Sequence, residues 1–245
     1  MKTVFITGAN KGIGFETAKQ FAQKDYYVYL GSRDIGKGIQ AISELNNEGL
    51  QNVETIEIDV SNDASIEKAS KTLEEKISKL DILINNAGIR GDFPQYPSTA
   101  NVGMIRKVYN TNLFGTIKVI QSFLPLLKLS PAPRIVNITS GLASLTLHND
   151  PGWKYYPIKG AAYGPSKTAL NAYTIALAYE LRDTPFKVNV VDPGYTATDF
   201  NQHRRTKDVS EAAAFIIKYA TIGDDGPSGK YFSDDNNPLT FESPW

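Results

Sequence analysis

The sequence predicts an α/β fold: a doubly wound, mostly parallel sheet of about seven strands, sandwiched between two layers of helices (three-layer αβα, Rossmann-like). Three observations predict it. Short runs of β-branched and aromatic residues alternate with helix-period segments along the whole chain. The first run ends in a turn carrying three glycines. The 245 residues, 41% hydrophobic and 21% charged, suit one α/β domain or at most two small ones. No linker, internal repeat or low-complexity tract divides them, so a single domain over residues 1–245 is expected.

The elements follow in order. Thr3 to Thr7 (TVFIT) reads as the first strand. Ile13 to Lys24 has helical spacing through Phe15, Ala18 and Phe21. Tyr27 to Leu30 is a second strand, followed by a polar helix around Ile39 to Glu48. Val53 to Ile58 alternates like a third strand, and Asn62 to Ser78 carries a helix. Asp81 to Asn85 is the fourth strand, and one long helix is expected over about Val102 to Lys128. Arg134 to Thr139 is the fifth strand, Ala162 to Arg182 a second long helix, and Phe186 to Val191 the sixth strand. A short helix near Ser210 to Tyr219 and the apolar pair Tyr231 and Phe232 end the pattern. Leu147 to Gly160, rich in Pro, Gly and aromatics, reads as a surface loop.

Composition excludes several function classes. Lys+Arg and Asp+Glu both count 26, so no basic surface for nucleic acid is expected. The absence of cysteine removes disulfides, thiolate catalysis and Cys-ligated zinc. His148 and His203 lie far apart in loop-like surroundings, and no metal site is expected. MKTVFITGAN lacks the apolar stretch of a signal peptide, and no segment approaches about 18 consecutive apolar residues. A cytoplasmic protein with no membrane span is therefore expected.

In sheets of this kind ligands bind beyond the carboxyl ends of the strands. After the first strand comes Thr7-Gly8-Ala9-Asn10-Lys11-Gly12-Ile13-Gly14. Such glycines let backbone approach a pyrophosphate, and the following helix aims its N-terminus at the anion. The spacing is G-x-x-x-G-x-G, not the commoner dinucleotide fingerprint. After the second strand stand Ser32 and Arg33, where NAD-binding sheets usually place an acid for the ribose 2′-hydroxyl. Arg33, with Lys11 as a second positive charge, suits a 2′-phosphate instead, so NADP(H) is the expected cofactor. Asp34, next in sequence, opposes this, and both cations also read as solvated surface charges.

The chain resembles the short-chain dehydrogenase/reductase family in its single-domain branch, on motifs that recur in order at successive strand ends. TGANKGIG is similar to that family's glycine turn. Asn86-Ala87-Gly88 lies in NNAG after the fourth strand. Asn112 lies in TNLFGT, Ser140 ends IVNITS, and Tyr163 and Lys167 match YxxxK. Pro193 and Gly194 follow the sixth strand, with Thr196 and Thr198 beyond. The resemblance implies that Asp59 and Val60 flank the adenine and that Asn86 to Gly88 line the adenosine side. It implies that Tyr163 protonates a carbonyl oxygen, that Ser140 hydrogen-bonds that oxygen, and that Lys167 holds the nicotinamide ribose. It also implies that Asn112 holds a water linking Lys167 to solvent. The substrate expected is a small carbonyl or alcohol compound, and a homodimer or homotetramer is an assembly the family allows. The glycine turn, Ser32-Arg33, the insertion before Tyr163 and the ending Gly229-Lys230-Tyr231-Phe232…Pro244-Trp245 look most like carbonyl reductases. An oxidising dehydrogenase of a sugar, steroid or other alcohol, and a non-catalytic dinucleotide sensor, are the competing readings.

The residues give the chemistry its physical basis. Tyrosine, with a pKa of about 10, is a reluctant acid near neutrality. A nearby ammonium, together with oxidised nicotinamide, is expected to favour tyrosinate and pull that value down toward the working range. Tyr163 and Lys167 are four apart at a helix start and so share a face. Tyr155 and Lys159 spell the same motif. Tyr155 lies 15 residues after Ser140 and Tyr163 lies 23 after, and the family's shorter spacing favours the first. Pro157 and Gly160 make that first pair a poor helix, whereas SKTALNAYTIALAYEL after Tyr163 is a good one. Tyr163 is chosen, at the cost of a loop insertion of roughly ten residues. Trp153, Tyr155 and Tyr156 in that loop read equally as pocket wall, interface or anchor. Asn201 to Asp208 reads as a substrate lid or a solvated connection.

Overall fold

The computed structural model describes residues 1–197 and 207–245. Seven strands form one sheet: β1 (Thr3–Thr7), β2 (Tyr27–Ser32), β3 (Val53–Glu57), β4 (Ile82–Asn85), β5 (Arg134–Ile138), β6 (Lys187–Asp192) and β7 (Tyr231–Ser233). Their order is β3-β2-β1-β4-β5-β6-β7, and every neighbouring pair is parallel. The winding runs outward from β1 through β2 to β3, then resumes on the other flank of β1 with β4. The crevice opens at that reversal, beyond the carboxyl ends of β1 and β4.

Strand alternation builds the two cores. Val4, Ile6, Val28, Leu30, Ile82 and Ile84 face one side of the sheet, whereas Phe5, Tyr29 and Leu83 face the other. Against the first side pack α1 (Gly12–Gln23), α2 (Ile35–Asn47) and, later in the chain, the helix Val209–Ala220. Against the second pack α3 (Asp63–Glu74), the helix Thr116–Lys128 and the helix Tyr163–Glu180. Phe5 and Phe123 meet across that second core with ring centroids 4.7 Å apart, and both are fully buried. Among the described residues no helix is long and apolar enough to cross a membrane.

Four elements differ from the sequence expectation. Helix α2 starts at Ile35, because the side chain of Asp34 caps it by accepting from Lys37 N at 3.2 Å. The single helix expected over Val102 to Lys128 is three pieces. These are α4 (Val102–Tyr109), a π-helical segment Asn110–Gly115, and α5 (Thr116–Lys128). The wider π turn brings Asn112 into the interior, where its side chain bonds both polar groups of the Ile89 backbone. The expected surface loop at Leu147–Gly160 is anchored. It begins in the short helix α6 (Leu145–His148), and Trp153 and Tyr155 are buried with rings 5.4 Å apart, edge to face. The terminal apolar pair is the seventh strand, with Phe232 stacked on Tyr219 at 3.8 Å. The remaining helices are α7 (Tyr163–Glu180) and α8 (Val209–Ala220).

Phe123→Ala empties a ring-sized site in the second core and is expected to cost about 3–5 kcal/mol. Urea unfolding measures this. A loss below about 1 kcal/mol would mean that the Phe5–Phe123 packing is not what holds α5 to the sheet.

Candidate active site

Two turns are stapled together at the crevice. Thr7 Oγ1, at the end of β1, accepts from Asn86 N and Ala87 N, both at 3.0 Å. In return Asn86 Nδ2 donates to Thr7 O at 2.9 Å and Gly8 O at 3.0 Å. The approach leaves no room for a side chain at Gly14, where a Cβ would sit 2.4 Å from Asn86 Nδ2. The result is a backbone cradle at the start of α1 that fits the pyrophosphate of a dinucleotide.

This cradle is one end of a cavity of about 950 Å³. Of the residues expected to bind a cofactor, Gly8, Asn10, Lys11, Gly12, Ile13 and Gly14 line it, as do Arg33, Val60 and Asn86 to Gly88. So do Pro193, Gly194 and Thr196. Thr198, His203 and most of the expected lid, 201–206, lie outside the described residues. Ser32 and Asp59 do not line the cavity. The hydroxyl of Ser32 turns in to Asp34 O at 2.7 Å. The Asp59 carboxylate accepts from Ser61 N at 2.9 Å and Ser61 Oγ at 2.7 Å. Their neighbours Arg33, Ile58 and Val60 form the wall instead.

At the other end lie Ser140, Tyr163 and Lys167. Tyr163 opens α7, and its hydroxyl is hydrogen-bonded to the Ser140 side chain. Lys167, one turn on, is buried and donates to Ile138 O at 2.7 Å. Burial pulls its ammonium down to about 8. The expected lowering of the Tyr163 pKa is not what the protein's own groups produce. Burial pushes the phenol above its ordinary value, and Asp192 adds to this. The Ser140 hydrogen bond and Arg90 pull the other way and lose.

Asn112 is fully buried and does not line the cavity. Its Oδ1 accepts from Ile89 N at 2.8 Å, and its Nδ2 donates to Ile89 O at 2.9 Å and to Ser166 Oγ at 3.0 Å. Ser166 Oγ in turn donates to Tyr163 O at 2.7 Å. Asn112 thus ties the strand-end segment to the first turn of α7 rather than standing at the wall.

The second YxxxK pair is split apart. Tyr155 donates to Asp235 Oδ2 at 2.6 Å, whereas Lys159 bonds His148 Nδ1 at 3.0 Å and His148 O at 2.8 Å. Tyr155 also lines the cavity, so among the roles weighed for the loop aromatics it combines wall and anchor.

Sequence reasoning missed a polar floor beneath Ser140. Asp192, at the end of β6, accepts from Ser233 Oγ at 2.7 Å and Gly194 N at 3.0 Å. Burial raises its carboxyl to about 6. The buried Tyr231 donates to Ser140 O at 2.7 Å. Gly141 packs closely here: a Cβ there would lie 3.0 Å from Asn236 Oδ1 and 3.2 Å from Asp192 Oδ2, so these side chains would have to give way. The available signal was weak: a lone Asp after a β-run and an apolar pair near the end of the sequence. Arg90, Phe93 and Leu142 also line the cavity without a sequence motif to mark them.

The short chain dehydrogenase profile matches residues 2–209. A short-chain dehydrogenase of Penicillium roqueforti is 35% identical, over 97% of this chain and 96% of its own. The (+)-neomenthol dehydrogenase of Capsicum annuum is 31% identical, over 93% of this chain and 94% of its own. That alignment runs to 299 positions against 245 residues here, so the pepper enzyme carries segments this chain lacks. The structure of salutaridine reductase from Papaver somniferum superposes with a TM-score of 0.83 at 29% identity, covering 96% of this chain and 100% of that one.

The raised carboxyl of Asp192 makes a signed stability prediction. Its ionised form is disfavoured in the folded chain, so the group opposes folding at neutral pH. That opposition fades as pH falls through about 6 toward the ordinary carboxylate range. Asp192→Asn removes the charge. Its stability relative to the native chain should be about 1–1.5 kcal/mol more favourable at pH 8 than at pH 5. Denaturant melts at the two pH values test this, and a difference independent of pH would show that Asp192 does not titrate in this window.

Proposed function

Because the chain belongs to the short chain dehydrogenase family, we propose that it is an NADPH-dependent reductase of carbonyl compounds. It is an oxidoreductase acting on carbonyl or alcohol substrates with a nicotinamide dinucleotide. The reductive direction, the choice of NADPH and the residue roles are our reading. The observation that carries it is the phenol of Tyr163, hydrogen-bonded to Ser140 in the large cavity with Lys167 one turn on.

The glycine cradle from Gly8 to Gly14 would hold the pyrophosphate, and Arg33 with Lys11 a 2′-phosphate. Both cations are exposed at the cavity edge. When bound, the dinucleotide supplies the hydride. The phenol's raised pKa keeps Tyr163 protonated near neutrality, so it stands ready to give a proton to the carbonyl oxygen. Ser140 donates a second hydrogen bond to the same oxygen as negative charge develops. Lys167, at about 8, holds a proton that it can yield and places positive charge near the tyrosinate left behind. Arg90 acts in the same sense on the phenol.

Two measurements test this. Tyr163→Phe should lower kcat for NADPH-driven reduction by about 10²–10⁴-fold while leaving NADPH binding within a few-fold. Tyr155→Phe should lose no more than about tenfold, and the reverse ranking would transfer the role to Tyr155. The native chain should bind NADPH at least about tenfold more tightly than NADH at moderate salt, and Arg33→Gln should narrow that ratio. Equal dissociation constants in the native chain would remove the assignment of NADPH.

A further inference from the structure

Among the described residues, Arg90 is a cavity-lining cation without a carboxylate partner. Arg90 follows Ile89 beyond the β4 turn and lines the cavity. Its backbone is fixed by Gln95, a buried side chain whose Nε2 donates to Arg90 O at 2.8 Å. The same side chain's Oε1 accepts from Ala162 N at 3.2 Å and Tyr163 N at 3.3 Å. One amide therefore sets the position of Arg90 relative to the start of the Tyr163 helix. The guanidinium lies 4.9 Å from the centre of the Phe93 ring, which holds it as a flat platform would.

Other cations near this end have acceptors. Lys154 pairs with Asp235, Lys207 donates to Asp234 at 2.6 Å, and Lys167 bonds Ile138 O. Arg33 and Lys11 belong to the opposite end, beside the glycine turn. Among the described residues Arg90 has no carboxylate partner, and its Nε is shut away from water without an acceptor. The acids of this end are already engaged. Asp235 holds Lys154 and Tyr155, and Asp192 is held by Ser233 and Gly194. Phe93, Leu142, Ile158 and Tyr195 line the same cavity and give it apolar and aromatic wall.

We propose that Arg90 anchors a carboxylate on the substrate, so that the favoured substrates are oxo acids with an apolar or aromatic body between the carbonyl and the acid. This deepens the reductase reading and rests on it. A guanidinium is a planar fork matched to a carboxylate, and here it has no competing anion. The carboxylate takes no part in the reaction. The carbonyl carbon gains a hydride, its oxygen gains the Tyr163 proton, the C=O π bond is lost, and the nicotinamide is oxidised.

The test is a matched pair of aldehydes, para-carboxybenzaldehyde and benzaldehyde, reduced with NADPH by the full chain. The readout is the ratio of their kcat/KM values, in which any effect of Arg90 on the shared phenol cancels. The native ratio should favour the carboxylate. Arg90→Gln should lower it by about tenfold or more, chiefly through KM, and Arg90→Lys should fall between. A smaller change overturns the proposal. Titration with benzoate in the presence of NADPH gives a readout free of turnover, and Arg90→Gln should weaken its Kd by about tenfold. If benzoate binding depends on Arg90 but neither aldehyde is reduced, the anchor stands and the reductase reading falls. If both aldehydes are reduced with a ratio indifferent to Arg90, the reductase reading stands and the anchor falls.

Discussion

A single buried ammonium organises the Ser140–Tyr163 end of the cavity. Lys167 reaches from the first turn of α7 to the carbonyl oxygen of Ile138, the last residue of β5. A cation taken out of water needs an acceptor, and the end of a strand supplies one whose position the sheet has already fixed. The contact sets the height of α7 above the sheet, and with it the place of Tyr163 and the distance to Ser140 on the next loop. The file from Asn85 through Asn137 to Thr174, with hydrogen bonds of 2.8 and 2.9 Å, holds the same helix lower down. Between them, two polar lines crossing an apolar core fix the helix in register, which hydrophobic packing alone does not do.

The electrostatics that result are a balance rather than a one-way pull. Burial and Asp192 push the phenol up, and Ser140 and Arg90 pull it down. Asp192, at the end of β6, is therefore part of the acidity of a phenol on α7. So is the end of β7, whose Ser233 hydroxyl steadies Asp192. The acid strength of the site is set by a neighbourhood that includes β4, β5, β6 and β7, and a motif of two side chains describes only its centre.

Much of this was legible in the residues, and the reason is local. Strand alternation, the glycine turn and the spacing of Tyr163 and Lys167 are short-range patterns, and the fold keeps them as written. That Tyr163 opens a helix and Tyr155 does not was legible too, because Pro157 and Gly160 spoil one helix and not the other. What was hidden depends on contacts between distant segments. Arg90 and Gln95 carry no motif, and their positions become meaningful only when the loop after β4 meets the start of α7. The π turn at Asn110–Gly115 escaped because its period differs from an α-helix over six residues, too few to shift an apolar stripe. Ser32 and Asp59 were placed at the cavity by analogy of position, whereas each is a short polar side chain that satisfies its own turn.

The hydroxyl of Tyr231 holds the carbonyl of Ser140 from the last strand of the sheet, which lies between β6 and the segment 241–243. On the ribosome, Ser140 emerges long before Tyr231 does. The nascent chain can thus assemble the glycine cradle and most of the sheet while the backbone of its serine is still unsupported. That support arrives with the last strand, so a chain stalled or clipped short of it would keep most of the sheet and lack the hydrogen bond that holds the Ser140 backbone.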